Sequence, residues 1–316
     1  MKVATHEDIV NLGVDPRKCY EWASYAIEHK AEMMLPSKIS LKPKTGAFCN
    51  VMPSIVAMPD GRKFGGVKMV TRYLEREPSL DSKLILFDAD NGDIKAIMDA
   101  NWITAMRTGA VAAHSLKLFA KSNFKTLGMI GLGNTARAAL LVYSAISDKK
   151  ILVKLLKYKD QEKLFCERFK DCTNIKFEFC DTVEQLISES DAVVSSATYL
   201  PNDLCIDQYF RKGILLVPIH TLGFTNCDLF FDKVFADDIG HVSGFKNFAK
   251  FKKLAEVSEV VNGTAKGREN DNERIIAYNI GVAMHDIFFA ANLYAMLDER
   301  KLSSVDFLSP TSKFWI

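Results

Sequence analysis

A glycine-rich segment at residues 131–136, with the sequence GLGNTA, carries the sharpest chemical signal in the chain. It follows the apolar run Leu127–Ile130 and precedes a stretch rich in Ala and Leu, so it predicts a strand, a tight turn and a helix. The first glycine permits the turn, the second lets the backbone approach a pyrophosphate, and the helix N-terminus presents N–H groups to the phosphates. The segment predicts a dinucleotide site formed by Gly131, Gly133, Asn134, Thr135 and Ala136.

The end of the next predicted strand bears on which dinucleotide binds. A site for NAD usually has a carboxylate about 20 residues after the glycines. Here the stretch from Lys157 to Lys159 is basic, and the carboxylate of Asp160 comes late. Lys157 or Lys159 suits the 2′-phosphate of NADP, although a solvated lysine-rich loop gives the same pattern. The predicted cofactor is NAD or NADP, with NADP slightly favoured.

Two cations lie in runs where a charge is unusual. Arg107 interrupts a series of small residues at helical spacing, and Lys68 follows a Gly-Gly-Val segment of a predicted strand. A buried cation needs an anionic partner, and a guanidinium binds a carboxylate through two hydrogen bonds. This pattern favours a ligand with a carboxylate; charges solvated at the surface are the alternative.

The first part of the chain predicts a helix and then a largely antiparallel sheet. The helix is predicted from Pro16 to Met34, and the strands at residues 39–41, 47–52, 55–58, 65–70 and 84–88. The pairs Asp60-Gly61 and Asn91-Gly92 lie between strands and are typical of tight turns. Residues 99–121 then have the periodicity of a helix, which carries Arg107.

From Thr126 onward, predicted strands alternate with predicted helices. The strands are residues 127–130, 151–156, 175–179, 192–195, 214–218 and 233–236, and the helices are residues 135–147, 161–170 and 182–189. This order predicts a parallel sheet with helices on both faces. Beyond Arg274, an Ala-rich pattern predicts one or two packed helices.

The predicted fold class is therefore α/β. We expect a Rossmann domain for NAD(P) at residues 119–289, inserted into a second α+β domain. The second domain, residues 1–118 and 290–316, is predicted to bind substrate and to dimerise.

The composition narrows the class of protein. Of 316 residues, 48% are apolar and 25% charged, which is typical of a globular chain and too apolar for disorder. The formal net charge of +2 gives no field that attracts nucleic acid or a membrane surface. The seven cysteines form no C-x-x-C pair, so a zinc or iron–sulfur site is not expected. A polar N-terminus and short apolar runs predict a cytoplasmic protein without a signal peptide or a membrane helix.

Several blocks together resemble the ornithine cyclodeaminase/mu-crystallin family. They are GGVK at 65–68, LILFDADNG at 84–92, AIMDA at 96–100, ITAMRTGAVAA at 103–113, the glycine-rich turn, GR at 267–268 and GVA at 281–283. The resemblance implies a homodimer in which the N-terminal sheet domains pair. It also implies hydride exchange between a nicotinamide and a carbon that carries an amino or imino nitrogen next to a carboxylate.

The resemblance implies roles for individual residues. Lys68 and Arg107 match positions that hold the substrate carboxylate, and Lys38 falls where the family often has a third cation, usually Arg. Thr108 and Thr198 are further candidates for contact with the cofactor. His220 either faces the nicotinamide or the substrate, or ends a buried strand.

One loop departs from the family pattern. The family has G-x-D-x-P-G-K after a His, and its Asp is the acid/base for the substrate amine. Here the sequence from His220 reads HTLGFTNCD, with Asp228 one residue later and no P-G-K after it. Asp228 is therefore either the proton-transfer group, which makes it a catalytic candidate with Lys68, or the cap of a helix at Leu229.

A simple oxidoreductase needs only one proton donor, whereas a cyclodeaminase needs a carboxylate in this loop for the proton transfers of the amine. The leading prediction is an NAD(P)-dependent oxidoreductase acting on the C–N bond of a small amino or imino acid, as an amino-acid dehydrogenase, a ketimine reductase or an opine-type dehydrogenase. An ornithine cyclodeaminase, which forms proline and ammonia, is the alternative. A non-catalytic NADPH-dependent binding protein of the mu-crystallin type is the second. The pair Asp237-Asp238 resembles a metal site, but no metal is predicted.

Overall fold

The computed structural model describes residues 1–197, 203–219, 227–306 and 312–313, without the side chains of residues 227 and 228. The chain divides into two compact units. Unit 1 comprises Met1–Val14, Glu32–Ile103 and Asp286–Ile316, and unit 2 comprises Asp15–Ala31 and Thr104–His285. Within the described ranges, every helix is too short or too polar to cross a membrane.

The elements are numbered along the chain. The strands are β1 (Lys2–Ala4), β2 (Ile39–Leu41), β3 (Phe48–Ala57), β4 (Lys63–Arg72), β5 (Leu80–Asp88), β6 (Ile94–Asp99), β7 (Thr126–Ile130), β8 (Ile151–Leu156), β9 (Ile175–Cys180), β10 (Ala192–Ser195), β11 (Leu215–Pro218), β12 (Lys233–Ala236), β13 (Ala255–Glu256), β14 (Ile275–Tyr278) and β15 (Ser303–Ser304). The helices are α1 (His6–Val10), α2 (Pro16–Glu28), α3 (Asn101–Phe119), α4 (Asn134–Ile146), α5 (Gln161–Glu167), α6 (Val183–Ser188), α7 (Cys227–Phe230), α8 (Ile239–Val242), α9 (Val257–Val261) and α10 (Ala283–Met296). Short 3₁₀ turns occupy Lys30–Glu32, Asp207–Tyr209 and Phe248–Lys250.

Unit 1 is built on one sheet with the strand order β15-β1-β6-β5-β4-β3-β2. Strands β2 to β6 form an antiparallel series, as predicted, and β1 joins β6 in parallel. Gly61 and Gly92 adopt φ of 85° and 81° in the two predicted turns. Only glycine takes up these angles readily, so the Asp-Gly and Asn-Gly pairs fix where the chain reverses.

One strand of unit 1 was predicted as two. The single strand β3, Phe48–Ala57, takes in residues 48–52 and 55–57 of the two predicted strands and continues through Pro53. Proline lacks the N–H that a second neighbouring strand would need. Strand β2 pairs with β3 only from Cys49 to Val51. Pro53 lies beyond this pairing, so β2 does not need an N–H from it.

Unit 2 contains a parallel sheet with the strand order β13-β12-β14-β11-β10-β7-β8-β9. Strand β7 starts at the centre, β8 and β9 extend the sheet to one side, and β10 returns to the other side of β7. This reversal of direction is the topological switch point of a Rossmann-type sheet. The α/β alternation predicted from Thr126 is therefore confirmed.

Two helix predictions were wrong in extent. The Ala-rich pattern after Arg274 contains a strand, β14, before α10 begins at Ala283. All four residues of β14 are buried in the middle of the sheet, and a short apolar run of this kind does not reveal its type by periodicity. The first predicted helix, α2, ends at Glu28 rather than Met34 and is followed by a 3₁₀ turn.

The compact units differ from the predicted domains. Residues 15–31 and 104–118 lie in unit 2, although both were predicted in the substrate domain, and residues 286–289 lie in unit 1. Helix α2 contacts α4 and α9 of the Rossmann-type unit. The position of a helix along the chain therefore does not show which unit it belongs to, because its packing contacts determine that.

Candidate functional site

The glycine-rich turn lies at the switch point of the unit 2 sheet. Gly131 directly follows β7 and adopts φ of 78°. A Cβ at this position would stand 2.9 Å from the carbonyl carbon of Ser196, which follows the adjacent strand β10. Both the backbone angle and the close approach of the two chains therefore require glycine here. Ligands of open α/β sheets bind in the crevice at this point.

Ser196 holds the turn in place and was missed by sequence reasoning. Its N–H donates to the carbonyl of Ile130 at 2.8 Å, and its Oγ donates to the carbonyl of Gly131 at 2.8 Å. These bonds join the ends of β7 and β10 at the crevice. A serine after a buried strand has no periodic signal, so only the sheet order shows its role.

The start of α4 is arranged for an anionic group. Gly133 is the N-cap residue, has no side chain to cap the helix, and faces open space where a Cβ would be. Asn134 is exposed, Thr135 is half-buried and Ala136 is buried. The N–H groups of the first turn of a helix have no acceptor within that helix, and the dipole is positive there. This geometry suits a pyrophosphate.

The loop after β8 places the basic residues as predicted but gives each a neighbour. Lys157 Nζ lies 2.7 Å from Asp181 Oδ1, and this hydrogen bond raises the pKa of Lys157. Lys159 Nζ lies 5.1 Å from the centre of the exposed Tyr158 ring. Glu162 is buried, and its Oε2 accepts the Tyr158 N–H at 3.2 Å. Asp160 pairs with Lys163, so the exposed groups at this strand end include both signs of charge.

Arg107 is buried in unit 2, with 6% of the residue exposed. It lies on α3, and its guanidinium lies against the backbone of Gly281, which follows β14. Gly281 N–H donates to Asp237 Oδ2 at 2.8 Å, and Asp237 follows β12. Because the strands are parallel, Gly281, Asp237 and Gly131 all lie along the edge formed by the strand C-termini.

The residues after Arg107 explain the small-residue run in the sequence. Thr108 is buried, and its Oγ1 donates to the Thr104 carbonyl one turn earlier at 2.7 Å. A Cβ at Gly109 would stand 2.4 Å from the carbonyl carbon of Ala138 on α4. Gly109 therefore lets α3 approach α4, the helix that begins at the glycine-rich turn.

Lys68 belongs to unit 1 and is fully buried. It lies in β4 between Met52 of β3 and Leu84 of β5. Its Nζ donates to Asp286 Oδ1 at 2.7 Å, and the Asp286 side chain is also fully buried. Asp286, in the first turn of α10, was not predicted as a functional residue because it is 218 positions from Lys68 in the sequence.

The structure describes the surroundings of the other predicted site residues only in part. Lys38 is half-buried and immediately precedes β2 in unit 1. Thr198 and His220 lie outside the described residues. Asp228 is the second residue of α7, which begins at Cys227, so it is not a cap on a helix starting at Leu229. Its side chain lies outside the part of the chain that the structure describes.

The acidic pair at 237–238 is used for internal contacts. Lys30 Nζ donates to the Asp237 carbonyl at 2.9 Å, to Asp238 Oδ2 at 2.8 Å and to Glu256 Oε2 at 2.7 Å. In the described part of the chain, no three His, Cys, Asp or Glu side chains form a group that would hold a metal ion. The cluster therefore anchors the segment after α2 to the sheet edge.

Each unit, taken by itself, thus carries groups that bind anions. Unit 2 has a crevice suited to a pyrophosphate and, along the same sheet edge, a buried guanidinium. Unit 1 has a buried ammonium group held by a carboxylate. Guanidinium and ammonium groups bind carboxylates, and a lysine ammonium also donates protons.

Known proteins of similar sequence include a dehydrogenase and a reductase. The N-((2S)-2-amino-2-carboxyethyl)-L-glutamate dehydrogenase of Staphylococcus aureus is 25% identical, over 81% of this chain and 82% of that protein. The Delta(1)-pyrroline-2-carboxylate reductase of Bacillus cereus is 24% identical, over 91% of this chain and 94% of that protein.

Solved structures share the fold over nearly the whole chain. The Thermococcus litoralis Delta(1)-pyrroline-2-carboxylate reductase, in complex with NADH and L-proline, gives a TM-score of 0.82 at 22% identity and covers 96% of this chain and 100% of that one. An archaeal alanine dehydrogenase dimer with bound NAD gives 0.83 at 22% identity and covers 98% and 99%. These likenesses confirm the Rossmann-type fold.

The family model agrees with the resemblance carried by the sequence blocks. The model of the ornithine cyclodeaminase/mu-crystallin family matches residues 11–301, which span both units. The chain therefore belongs to the ornithine cyclodeaminase/mu-crystallin family.

Proposed function

We propose that the protein is an NAD(P)-dependent oxidoreductase acting on the C–N bond of a small amino or imino acid. The observation that carries the proposal is that two features lie along one edge of the unit 2 sheet. They are the glycine-rich turn at the switch point and the buried guanidinium of Arg107, which lies against Gly281. A dinucleotide and a carboxylate are the ligands that these features suit. The relatives named above, which include a Delta(1)-pyrroline-2-carboxylate reductase, support the same chemistry.

The chain's own residues have three tasks in this reaction. When bound, the nicotinamide supplies a hydride to the substrate carbon or accepts one from it. We assign the substrate carboxylate to Arg107, Lys68 and Lys38, and the nucleotide to residues 131–136 with Thr108, Lys159, Thr198 and His220. In the reducing direction the imine nitrogen also needs one proton, which we assign to Lys68 or Asp228. Hydride and proton together account for the two-electron reduction of C=N to an amine.

A spectrophotometric assay tests the proposal. Purified protein is mixed with NADPH or NADH and a panel of cyclic imino acids, or of α-keto acids with ammonium or an amine. We expect oxidation of the nucleotide by the wild type, and loss of at least about 100-fold in kcat/KM for Arg107→Met. Arg17→Met, which changes an exposed arginine of α2, is the matched control and should retain full activity.

Each alternative function gives a different result in the same assay. Tight NADPH binding with no oxidation across the panel would indicate a binding protein of the mu-crystallin type. Formation of proline and ammonia from ornithine with catalytic NAD would indicate a cyclodeaminase. The sequence after Asp228, which lacks the family's P-G-K, favours the simpler oxidoreductase.

We also propose that the protein is a homodimer joined through the outer face of the unit 1 sheet. A row of apolar residues crosses four strands there: Pro53, Val67, Ile85 and Ile97 are paired successively. Ile85 is 40% exposed and the neighbouring Met69 46% exposed. Pro53, Val67 and Ile97 are half-buried, and a contiguous apolar row of this kind at the surface marks an interface. The archaeal alanine dehydrogenase of the same fold is a dimer, which supports the proposal.

A further inference from the structure

Among the ion pairs found in the described part of unit 1, the pair between Lys68 and Asp286 is the most deeply buried. Both side chains have 0% exposure, and Nζ lies 2.7 Å from Oδ1. The cross-strand neighbours of Lys68, Met52 and Leu84, are apolar. The ammonium group is thus buried between two apolar cross-strand neighbours and held by a carboxylate from a distant part of the chain.

The close packing of α10 on β4 brings the two residues together. Gly66 precedes Lys68 by two residues and so lies on the same face of β4. A Cβ at Gly66 would stand 2.6 Å from Ile287 Cδ1 of α10 and 2.7 Å from the Ile85 carbonyl oxygen. Only a residue without a side chain allows Ile287 to lie this close to the strand. The same approach places Asp286, the residue before Ile287, on Lys68.

Stability alone does not account for this pair. The desolvation of two buried charges often cancels their attraction, and an apolar pair of similar volume usually stabilises a core equally well or better. The pair has a clear chemical consequence, however. A carboxylate beside a buried lysine favours the protonated form of that lysine, whereas burial without it favours the neutral form.

We propose that Asp286 is a positioning residue that holds Lys68 in its protonated form and orients it for the substrate, an inference that rests on the function proposed above. An ammonium group has three donors, and Asp286 Oδ1 accepts one of them. A second N–H of the ammonium binds the substrate carboxylate. Asp286 itself does not touch the substrate, and it acts only through Lys68.

The pH dependence of activity distinguishes this role from a structural one. We compare kcat/KM of wild type, Asp286→Asn and Ile287→Ala between pH 6 and pH 10, with saturating nucleotide to stabilise the fold. Asp286→Asn should lower kcat/KM about 30-fold or more and move the alkaline limb of the profile down by at least about one pH unit. Ile287→Ala removes apolar contacts from the same turn of α10, so it should lower the Tm without moving that limb.

The outcomes separate the two proposals. If the wild type is active and Asp286→Asn keeps its profile, the role of Asp286 is overturned and the proposed function stands. If the wild type oxidises neither nucleotide with any substrate, the proposed function fails, and the inference with it.

A structure of the wild type covers the case in which Asp286→Asn does not fold. Crystals are grown with the nucleotide and pyrrole-2-carboxylate, a planar analogue of a cyclic imino acid. We expect Lys68 Nζ to bind Asp286 and the carboxylate of the analogue at the same time. An analogue bound without contact to Lys68 would overturn the inference.

Discussion

The guanidinium of Arg107 and the backbone of Gly281 are in such close contact that no side chain fits between them. A Cβ built on Gly281 would stand 2.6 Å from Arg107 Nη1 and 3.3 Å from the guanidinium carbon. Gly281 also has φ of 85°, and its N–H is fixed by Asp237 Oδ2. The loop after β14 is therefore the surface that sets where the Arg107 cation lies.

Replacing Gly281 with alanine should displace the Arg107 guanidinium. We expect Gly281→Ala to raise KM for the imino acid about 30-fold or more, because truncating or moving a buried charge partner costs about 2 kcal/mol or more. The Kd of the nucleotide should change much less. Steady-state kinetics and fluorescence titration measure the two quantities.

The control for this variant is Gly263→Ala. Gly263 has φ of 74° and open space at its Cβ position, so alanine there imposes backbone strain without a collision. Equal effects of the two variants on KM would show that strain alone explains the result, and that the contact with Arg107 is irrelevant.

Ser196 should contribute to nucleotide affinity through the turn that it supports. Ser196→Ala removes the hydrogen bond to the Gly131 carbonyl, and a bond of this kind contributes about 1 kcal/mol. We expect the Kd of the nucleotide to rise about 3- to 10-fold, as measured by quenching or enhancement of NADPH fluorescence. Ser144→Ala, which removes a hydroxyl bonded within α4, should leave the Kd unchanged.

The sequence predicted the parallel sheet well and the charged partners poorly, for physical reasons. Strands β8, β10 and β12 have the predicted bounds because buried strands of a parallel sheet are short apolar runs between turn residues. The same rule failed for β14, because the Ala-rich sequence that follows it has helical spacing and β14 was predicted as part of that helix. Sequence alone did not show that Asp286 meets Lys68, since their contact depends on how α10 packs on β4.

The site residues show the same division. The burial of Arg107 followed from the small residues around it, and the structure buries it. The position of Gly131 followed from local turn chemistry. Ser196 and Asp237 act through hydrogen bonds to distant segments of the chain. Contacts of this kind produce no local sequence pattern, so they could not be predicted.

His114 should make the protein less stable in acid. Burial, and next the charge of Lys117, lower the pKa of His114 from 6.5 to about 4 in the folded state. In the unfolded chain the pKa returns to about 6.5, so between these values the unfolded state binds more protons. The stability that the neutral ring provides is complete above about pH 6.5 and is lost as the pH falls towards 4.

This contribution can be isolated by substitution. Between pH 7.5 and pH 5.0 the wild type should lose about 2 kcal/mol of unfolding free energy through His114. His114→Gln should lack that share of the pH dependence, whereas His6→Gln, a change at an exposed histidine, should retain it. Urea unfolding at both pH values measures it. An unchanged difference in His114→Gln would contradict the assignment.

Lys159 should decide how well the protein accepts a 2′-phosphate. It is exposed at the end of β8, adopts φ of 50° and lies over the Tyr158 ring, while Lys157 is paired with Asp181. We expect Lys159→Glu to raise KM for NADPH about tenfold while KM for NADH changes little, because only NADPH carries the extra charge there. Lys163→Glu is the control, because it changes a nearby lysine of α5 that is paired with Asp160. Equal effects on both nucleotides would rule out a role in selecting between them.

The outer face of the unit 1 sheet should determine the oligomeric state. Val67 and Ile85 are directly paired across β4 and β5 in the centre of the apolar row, so a charge at either position would be buried in a dimer. Burial of an uncompensated carboxylate costs several kcal/mol, which is enough to dissociate a dimer of moderate affinity. We expect Val67→Asp to sediment as a monomer of about half the mass of the wild type in analytical ultracentrifugation. Lys63→Asp also adds a carboxylate to β4, but at an exposed position at the end of the strand, and it should remain dimeric. A monomeric wild type, or a dimeric Val67→Asp, would show that this face is not the interface.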